Sequence, residues 1–272
     1  MISATGLILT YNEEENIGRT LGALSWIKEV VIVDSGSVDR TLELARSSHP
    51  NVRIVQRTFD THAKQWNFGL AQIQTPWVLT LDADYEVSAA LAEEIQKLVP
   101  DENLTGYEAQ FQYRICGRPL RSSVYPPRVV LFRTDRATYF DDGHTQRLRT
   151  DGPVKSLAGL IYHDDRKPMR HWLQSQKRYA RLEARHLLQM RNAKREVRNA
   201  QGETPNEELT FQDRLRLKIF FAAPAMFFYL LFGRGLILDG WPGWFYIYQR
   251  TIAELILSVQ LLVMRKEPSG KG

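Results

Sequence analysis

Trp77-Val78-Leu79-Thr80-Leu81-Asp82-Ala83-Asp84 decides how the rest of the chain is read. A short run of strand-forming residues ends abruptly on two carboxylates. Strands that are apolar almost without interruption are buried on both faces, which is the habit of parallel sheets. Outward from this stretch, Ala4 to Thr10, Val30 to Asp34 and Val52 to Val55 repeat the pattern. Helix-like segments lie between them at Glu14 to Leu24, Arg40 to Ser47 and Ala63 to Gln72, and another follows at Ala89 to Leu98. The alternation predicts an α/β fold, a mainly parallel sheet flanked by helices. Sheets of this kind bind ligands in the crevice outside the carboxyl ends of their strands, and the polar residues collect there.

The chain has 272 residues, 43% of them hydrophobic and 25% charged, so it carries enough apolar material for a sizeable core. This excludes a disordered or disulfide-stapled chain. Lys and Arg number 36 against 31 Asp and Glu, a net +5 that suits a phosphorylated ligand or an anionic surface. The lone cysteine, Cys116, excludes an internal disulfide framework and a cysteine-rich zinc site, and fits a reduced compartment. Met1 to Tyr11 has no basic segment followed by a long apolar one, so no secretory signal is expected. The longest uninterrupted apolar run, Ile219 to Phe232, contains Pro224 and is shorter than the roughly 20 residues of a spanning helix.

From Gly106 to Tyr162 extended segments alternate with Gly and Pro, which predicts a mixed or antiparallel addition to the sheet. Pro168 to about Val197 reads as a long basic helix; Arg166 to Arg198 holds eleven Lys or Arg and two acids, Glu183 and Glu196. Asn199 to Asn206 is a polar linker, and Leu209 to Met264 is apolar and aromatic. The expected division is an α/β domain over 1–165, in halves over 1–100 and 101–165, and a helical extension over 166–272.

Four clusters follow the predicted strands. Thr10-Tyr11-Asn12-Glu13 offers groups for a ribose or base, although Asn12 reads equally as a helix cap. Asp34-Ser35-Gly36-Ser37 places a carboxylate where it can accept the ring N–H of a uracil, while Asp39 or Thr41 starts the next helix. Asp82 and Asp84, two apart in an extended segment, share one face and repel unless a cation joins them. A hard divalent ion shared with a diphosphate suits such oxygen ligands, and a helix cap at Asp84 is the plainer alternative. In His62-Ala63-Lys64-Gln65-Trp66-Asn67, Lys64 suits a phosphate and Asn67 can support the metal site, or the segment simply starts a helix.

Taken together, Thr10 to Glu13, Val33 to Ser37 with Asp39 and Thr41, and Leu81 to Asp84 resemble family 2 glycosyltransferases of GT-A fold, in order and spacing over about the first 100 residues. Ala63 to Leu70, His144 and His163 are similar to the lipopolysaccharide core glucosyltransferase branch. The resemblance implies inverting transfer from a nucleotide-diphospho sugar, UDP-linked by expectation, assisted by Mg2+ or Mn2+. It places Thr10, Tyr11, Asn12, Glu13, Asp34, Ser35, Lys64, Asn67, Asp82 and Ala83 around the donor, and Asp84 with Asp82 on the metal. His163 is a further candidate metal ligand or diphosphate contact, with a surface ion pair as the plainer alternative. Inversion by one in-line attack needs one general base. The chain departs from the branch here: Thr145 stands where Glu is usual after His, in Asp141-Asp142-Gly143-His144-Thr145. Asp142 is the first candidate base, then Asp141, then His144, with a plain turn at Asp141 to Gly143 as the alternative.

The basic helix and the aromatic tail together predict peripheral attachment to the cytoplasmic face of the inner membrane, with an oligomer contact or plain internal packing as the alternatives. The acceptor is then a lipid-linked sugar or a lipopolysaccharide or other surface glycan. Two alternatives stand beside this reading: a polyprenyl-phosphate glycosyltransferase, and a non-catalytic nucleotide- or membrane-binding protein on the same fold. Nucleic acid is not an expected partner, because the basic helix lacks interleaved aromatics. Neither a Gly-x-Gly-x-x-Gly nor a Gly-Lys-Ser/Thr motif is present, which removes the dinucleotide and P-loop readings.

Overall fold

The structure is a computed structural model and describes residues 2–99, 101–142, 145–200 and 209–266. The chain divides into two compact units, Met1–Lys167 and Pro168–Gly272.

In the first unit β1 (Ala4–Thr10), β2 (Val30–Asp34), β3 (Val52–Gln56) and β4 (Trp77–Asp82) form a parallel half-sheet in the order β3-β2-β1-β4. Helices α1 (Ile17–Gly22), α2 (Thr41–Ser48) and α3 (His62–Leu70) connect these strands. After β4 come β5 (Tyr85–Val87), α4 (Ala89–Lys97), β6 (Gly106–Ile115), the short β7 (Arg118–Pro119) and β8 (Arg128–Arg133). A hairpin of β9 (Ala137–Asp142) and β10 (Thr145–Thr150) precedes β11 (Val154–His163). The sheet continues from β4 through β8, β6, β11 and β5, so parallel and antiparallel neighbours mix in its second half. This is a GT-A-like sheet flanked by helices.

Successive strand side chains point to opposite faces, and here both sets are apolar. Ile8, Ile32, Leu79 and Leu81 join the core that also holds Ile17 and Leu21 of α1 and Leu91 of α4. Leu7, Val31, Val33 and Val78 join the other, with Trp66 of α3, Phe132 and Tyr139. The uninterrupted apolar strands of the sequence are therefore the sign of a sheet covered on both sides. Several glycines leave too little room for a Cβ, and two of them set helix packing on the sheet. A Cβ on Gly69 of α3 would lie 2.8 Å from Leu7 Cδ1, and one on Gly159 of β11 would lie 2.4 Å from Leu91 Cα. At this second contact β11 bulges, and the backbone N–H groups of Ala158 and Gly159 donate to Glu94 of α4.

Two plainer expectations need correction. Asp141 and Asp142 are not a loose turn; they are strand residues, paired with Gln146 and Thr145 across the hairpin. Nor does the length of unbroken apolar runs capture the tail. Ile219 to Phe232 is split into α7 (Ala222–Phe228) and a wider π turn, Tyr229–Gly233. The long apolar helix is α8 (Trp241–Lys266), whose run is broken in sequence by Gln249, Arg250 and Glu254. Among the described residues it is the helix long and apolar enough to cross a membrane, by length and composition only.

In the second unit α5 (Met169–Ala200) and α8 share a core through Ala184, Leu187, Leu257 and Leu261, joined by Ile219 and by Leu217 of α6 (Phe211–Leu217). Arg216 sits between three helices. Its guanidinium donates to Glu254 of α8 at 2.7 Å and to Glu183 of α5 at 3.1 Å. The opposite face of α8 is exposed and apolar at Trp241, Phe245, Tyr248, Ile252, Leu255, Val259 and Val263, in steps of three and four residues. Such steps place these residues on one stripe of a helix.

Candidate active site

The loops that leave β1 and β2 are tied to each other. Asn12 adopts left-handed backbone (φ 54°). Its N–H donates to Ser37 Oγ at 2.9 Å, and its side-chain oxygen accepts from the Val38 N–H at 2.9 Å. The Glu13 N–H donates to Thr41 Oγ1 at 2.7 Å, and the Glu14 N–H to Asp39 at 3.2 Å. Thr41 O–H and N–H both donate to Asp39. Asp39 is partly buried, which opposes its ionisation, but these donors outweigh burial and hold it below the usual carboxylate range.

Asp34 is fully buried, and its carboxylate accepts from Thr10 Oγ1, Ser37 Oγ and the N–H groups of Gly36 and Ser37. An ionised carboxylate has about four acceptor sites, so the chain itself fills them. Asp34 thereby shapes the Ser35-to-Ser37 turn. Ser35 Oγ accepts from Gln65 Nε2 at 2.9 Å, and Tyr11 is exposed beside these loops in sequence. Lys64 stands at the surface, 3.4 Å from Asp60 one helical turn away. Asn67 spans to β9: its Nδ2 donates to the Tyr139 carbonyl at 2.8 Å, and its Oδ1 accepts from the Tyr139 N–H at 2.9 Å. Asp141 accepts from the Ala63 N–H at 3.2 Å, in the first turn of α3. Asp142 ends β9, and its side chain lies outside the described residues, as does all of His144.

The acidic end of β4 meets β11. Ala83 is buried, its carbonyl accepting from Thr20 Oγ1 at 2.6 Å, so the turn between the two carboxylates is fixed. Asp84 Oδ2 lies 3.1 Å from His163 Nε2, across 79 residues of sequence. Tyr113, Tyr125 and Tyr85 box the imidazole at ring distances of 4.5, 5.0 and 5.1 Å, and the Tyr85 and Tyr125 hydroxyls pair. Burial opposes ionisation of both partners. Each charge outweighs that cost for the other, which lowers Asp84 and raises His163 from their ordinary values. Nδ1 of His163 is buried without a hydrogen-bond partner. Asp82, at the strand end, accepts no hydrogen bond among the described residues.

Behind this pair runs a polar brace. Lys167 Nζ donates to Glu13 Oε1 at 2.5 Å. Burial opposes the lysine's charge, but Glu13 outweighs it and holds the ammonium above its usual range; burial lifts Glu13 against the pull of Lys167. Fully buried Asn16 donates to Glu13 and Asp165 and accepts from Arg19 and the Arg166 N–H. Arg19 also pairs with Glu86. The residues after β11 are thereby fastened to those after β1. No local pattern signals this, since the partners lie about 150 positions apart.

The model of Glycosyl transferase family 2 matches residues 7–156 of this chain, from the middle of β1 through β10 to the beginning of β11. The chain belongs to glycosyl transferase family 2. Curated members of similar sequence include the lipopolysaccharide core biosynthesis glycosyltransferase LpsC of Rhizobium meliloti, 34% identical over 118 residues, 42% of each chain. An uncharacterized glycosyltransferase of Rickettsia typhi is 31% identical over 171 residues, 57% of this chain and 58% of its own. The matches thus span about half the length of these relatives. Among solved structures, S. aureus TarS 1–349 in complex with UDP-GlcNAc is similar with a TM-score of 0.47 and 15% identity, over 97% of this chain and 92% of that one.

The chemistry of the donor set in this family 2 chain fits a divalent cation. Asp84 and His163 supply a hard oxygen and an imidazole nitrogen that already face each other, and Asp82 closes the same strand. Among the described residues no group of three or more His, Cys, Asp or Glu forms a ready cage. The remaining coordination would fall to water and to a ligand's own oxygens, as hard cations at phosphate sites commonly have it.

Proposed function

We propose that the protein is an inverting glycosyltransferase that moves a sugar from a nucleotide-diphospho sugar, by preference UDP-linked, to a lipid-linked or surface-glycan acceptor. The observation that carries this reading is the meeting of Asp84 with His163 inside the tyrosine box, at the carboxyl end of the β4 strand. That crevice is where a sheet of this kind receives its ligand.

Each residue then has a physical task. The tied loops at Asn12 and Ser35 to Ser37 present backbone and hydroxyl groups to the nucleoside, with Thr10 and Asp34 holding their shape. Asp82 faces the ribose or sugar, and Asp84 and His163 hold Mg2+ or Mn2+. When bound, the cation supplies Lewis-acid stabilisation of the charge that develops on the departing diphosphate. Lys167, kept charged by Glu13, adds a positive field on the same side of the site. Asp142 takes the proton of the attacking hydroxyl. Its strand is held in place by Asn67 on Tyr139 and by Asp141 on Ala63. The basic face of α5 and the apolar stripe of α8 support attachment to the cytoplasmic membrane face.

The test is a panel of nucleotide sugars with Mn2+ or Mg2+, read by donor hydrolysis and by thermal stabilisation. At a hundredfold excess over Kd a ligand adds about 2.7 kcal/mol. One UDP-sugar is expected to give that stabilisation with metal, and Asp84→Ala to abolish it. No stabilisation by any donor with either metal would overturn the reading.

A further inference from the structure

Arg128 opens β8, the strand next to β4 on the side away from β1, β2 and β3. Leu79 of β4 stands opposite Leu131 of β8, and continuing that antiparallel register sets Asp82 opposite Arg128. The guanidinium is half-buried and lies 4.7 Å over the Tyr125 ring, which also walls the His163 box. Among the described residues it makes no hydrogen bond and no ion pair. In this it differs from the other half-buried arginines of its unit. Arg19, Arg53, Arg57 and Arg136 each bond a carboxylate, Arg133 donates to the Leu104 carbonyl, and Arg114 to Gln112.

Half-buried and without a hydrogen-bonded protein partner, this cation bears part of the cost of leaving water while its nitrogens still reach solvent. The fold keeps this one in place through an aromatic face alone and leaves its five donors for something else. Asp82 shares the space electrostatically, yet the two do not bond. The diphosphate side of the site has Lys167, and Asp84 and His163 would hold a divalent ion there. Arg128 lies across β4 from the loops that follow β1 and β2, where the acceptor must approach to attack opposite the leaving group.

We propose that Arg128 receives an anionic substituent, a phosphate or carboxylate, on the acceptor sugar, and so selects charged acceptors over neutral ones. The inference rests on the glycosyltransferase reading above. Planar bidentate pairing with such a group is the interaction a free guanidinium fork makes best.

The test uses the full chain with Mn2+ and UDP, and saturation-transfer NMR with glucose 6-phosphate, glucuronate and glucose as probes. Charge-assisted pairing predicts that the sugar phosphate binds about tenfold or more tightly than glucose. Arg128→Gln should remove that preference and leave UDP affinity within about twofold, while Arg128→Lys, which keeps charge without the fork, retains part of it. Glucuronate against glucose 6-phosphate tells carboxylate from phosphate, and tighter binding of either supports the proposal. Equal binding of charged and neutral sugars, or a preference unchanged in Arg128→Gln, overturns it. A fall in UDP affinity with the sugar preference intact also overturns it and gives Arg128 to the donor. If Arg128→Gln does not fold, competition on the wild-type chain decides: inorganic phosphate should displace the sugar phosphate before UDP, and the reverse order refutes the proposal. Failure of UDP to bind at all would instead strike the glycosyltransferase reading, because sugar-phosphate binding is scored separately.

Discussion

Asn67→Ala would cut the bracket between α3 and β9. The side chain makes two hydrogen bonds, at 2.8 and 2.9 Å, to the backbone of a single residue, Tyr139, which is 8% exposed. Each bond contributes about 1 kcal/mol net, and each backbone group left unpaired in the interior costs about 1–3 kcal/mol, so a loss of about 2–4 kcal/mol is expected. For a unit of this size that corresponds to a fall in Tm of roughly 4–16 °C. Asn67→Asp sharpens the test. It keeps an acceptor for the Tyr139 N–H but sets a second oxygen against the Tyr139 carbonyl, so it should destabilise at least as much as alanine. Urea titration followed by circular dichroism reads both variants. Because β9 carries Asp142, transfer should also fall more than donor affinity does. An Asn67→Asp protein within about 0.5 kcal/mol of wild type would refute the bracket.

Asp39→Asn tests the tie between the first two loops. Asp39 titrates below its unfolded value, so its stabilisation is present above the unfolded pKa and lost as pH falls through the lower folded one. The variant should be about 1 kcal/mol less stable at pH 7, with the gap closing below pH 4 in acid unfolding curves. Arg216→Met strands Glu254 and Glu183 in the helical unit and should cost about 3–5 kcal/mol by chemical denaturation, with Glu254→Leu added to it recovering part. Leu255→Glu with Val259→Glu places charge on the exposed stripe of α8, and co-sedimentation with anionic vesicles should drop without loss of helix content. Unchanged sedimentation would separate the stripe from the membrane.

The sheet was legible because its strands are buried on both faces: Leu7 and Ile8, or Val78 and Leu79, serve opposite cores and leave no polar alternation to confuse the period. The acidic end of β4 was legible for the complementary reason, since two carboxylates closing an apolar strand need a partner. What the partner was could only be half seen. His163 stood out as a residue type, but its box of Tyr85, Tyr113 and Tyr125 is drawn from three separate segments. The brace of Glu13, Asn16, Arg19 and Lys167 joins residues about 150 apart; Glu13 reads in sequence as a donor contact, and nothing local pairs it with Lys167. Asp34 reads in sequence as a nucleoside contact, but the donors of its own turn, which engage its carboxylate, are not visible there. The face of α8 escaped notice because its apolar residues are spaced for a helix and not consecutive.

The most direct measurement is electron–nuclear double resonance of Mn2+ bound with UDP. Phosphorus coupling from the diphosphate should appear together with nitrogen coupling from His163, and His163→Gln should remove the nitrogen signal while Asp84→Ala lowers Mn2+ affinity. Phosphorus coupling without nitrogen, and Mn2+ affinity unchanged in Asp84→Ala, would contradict the account.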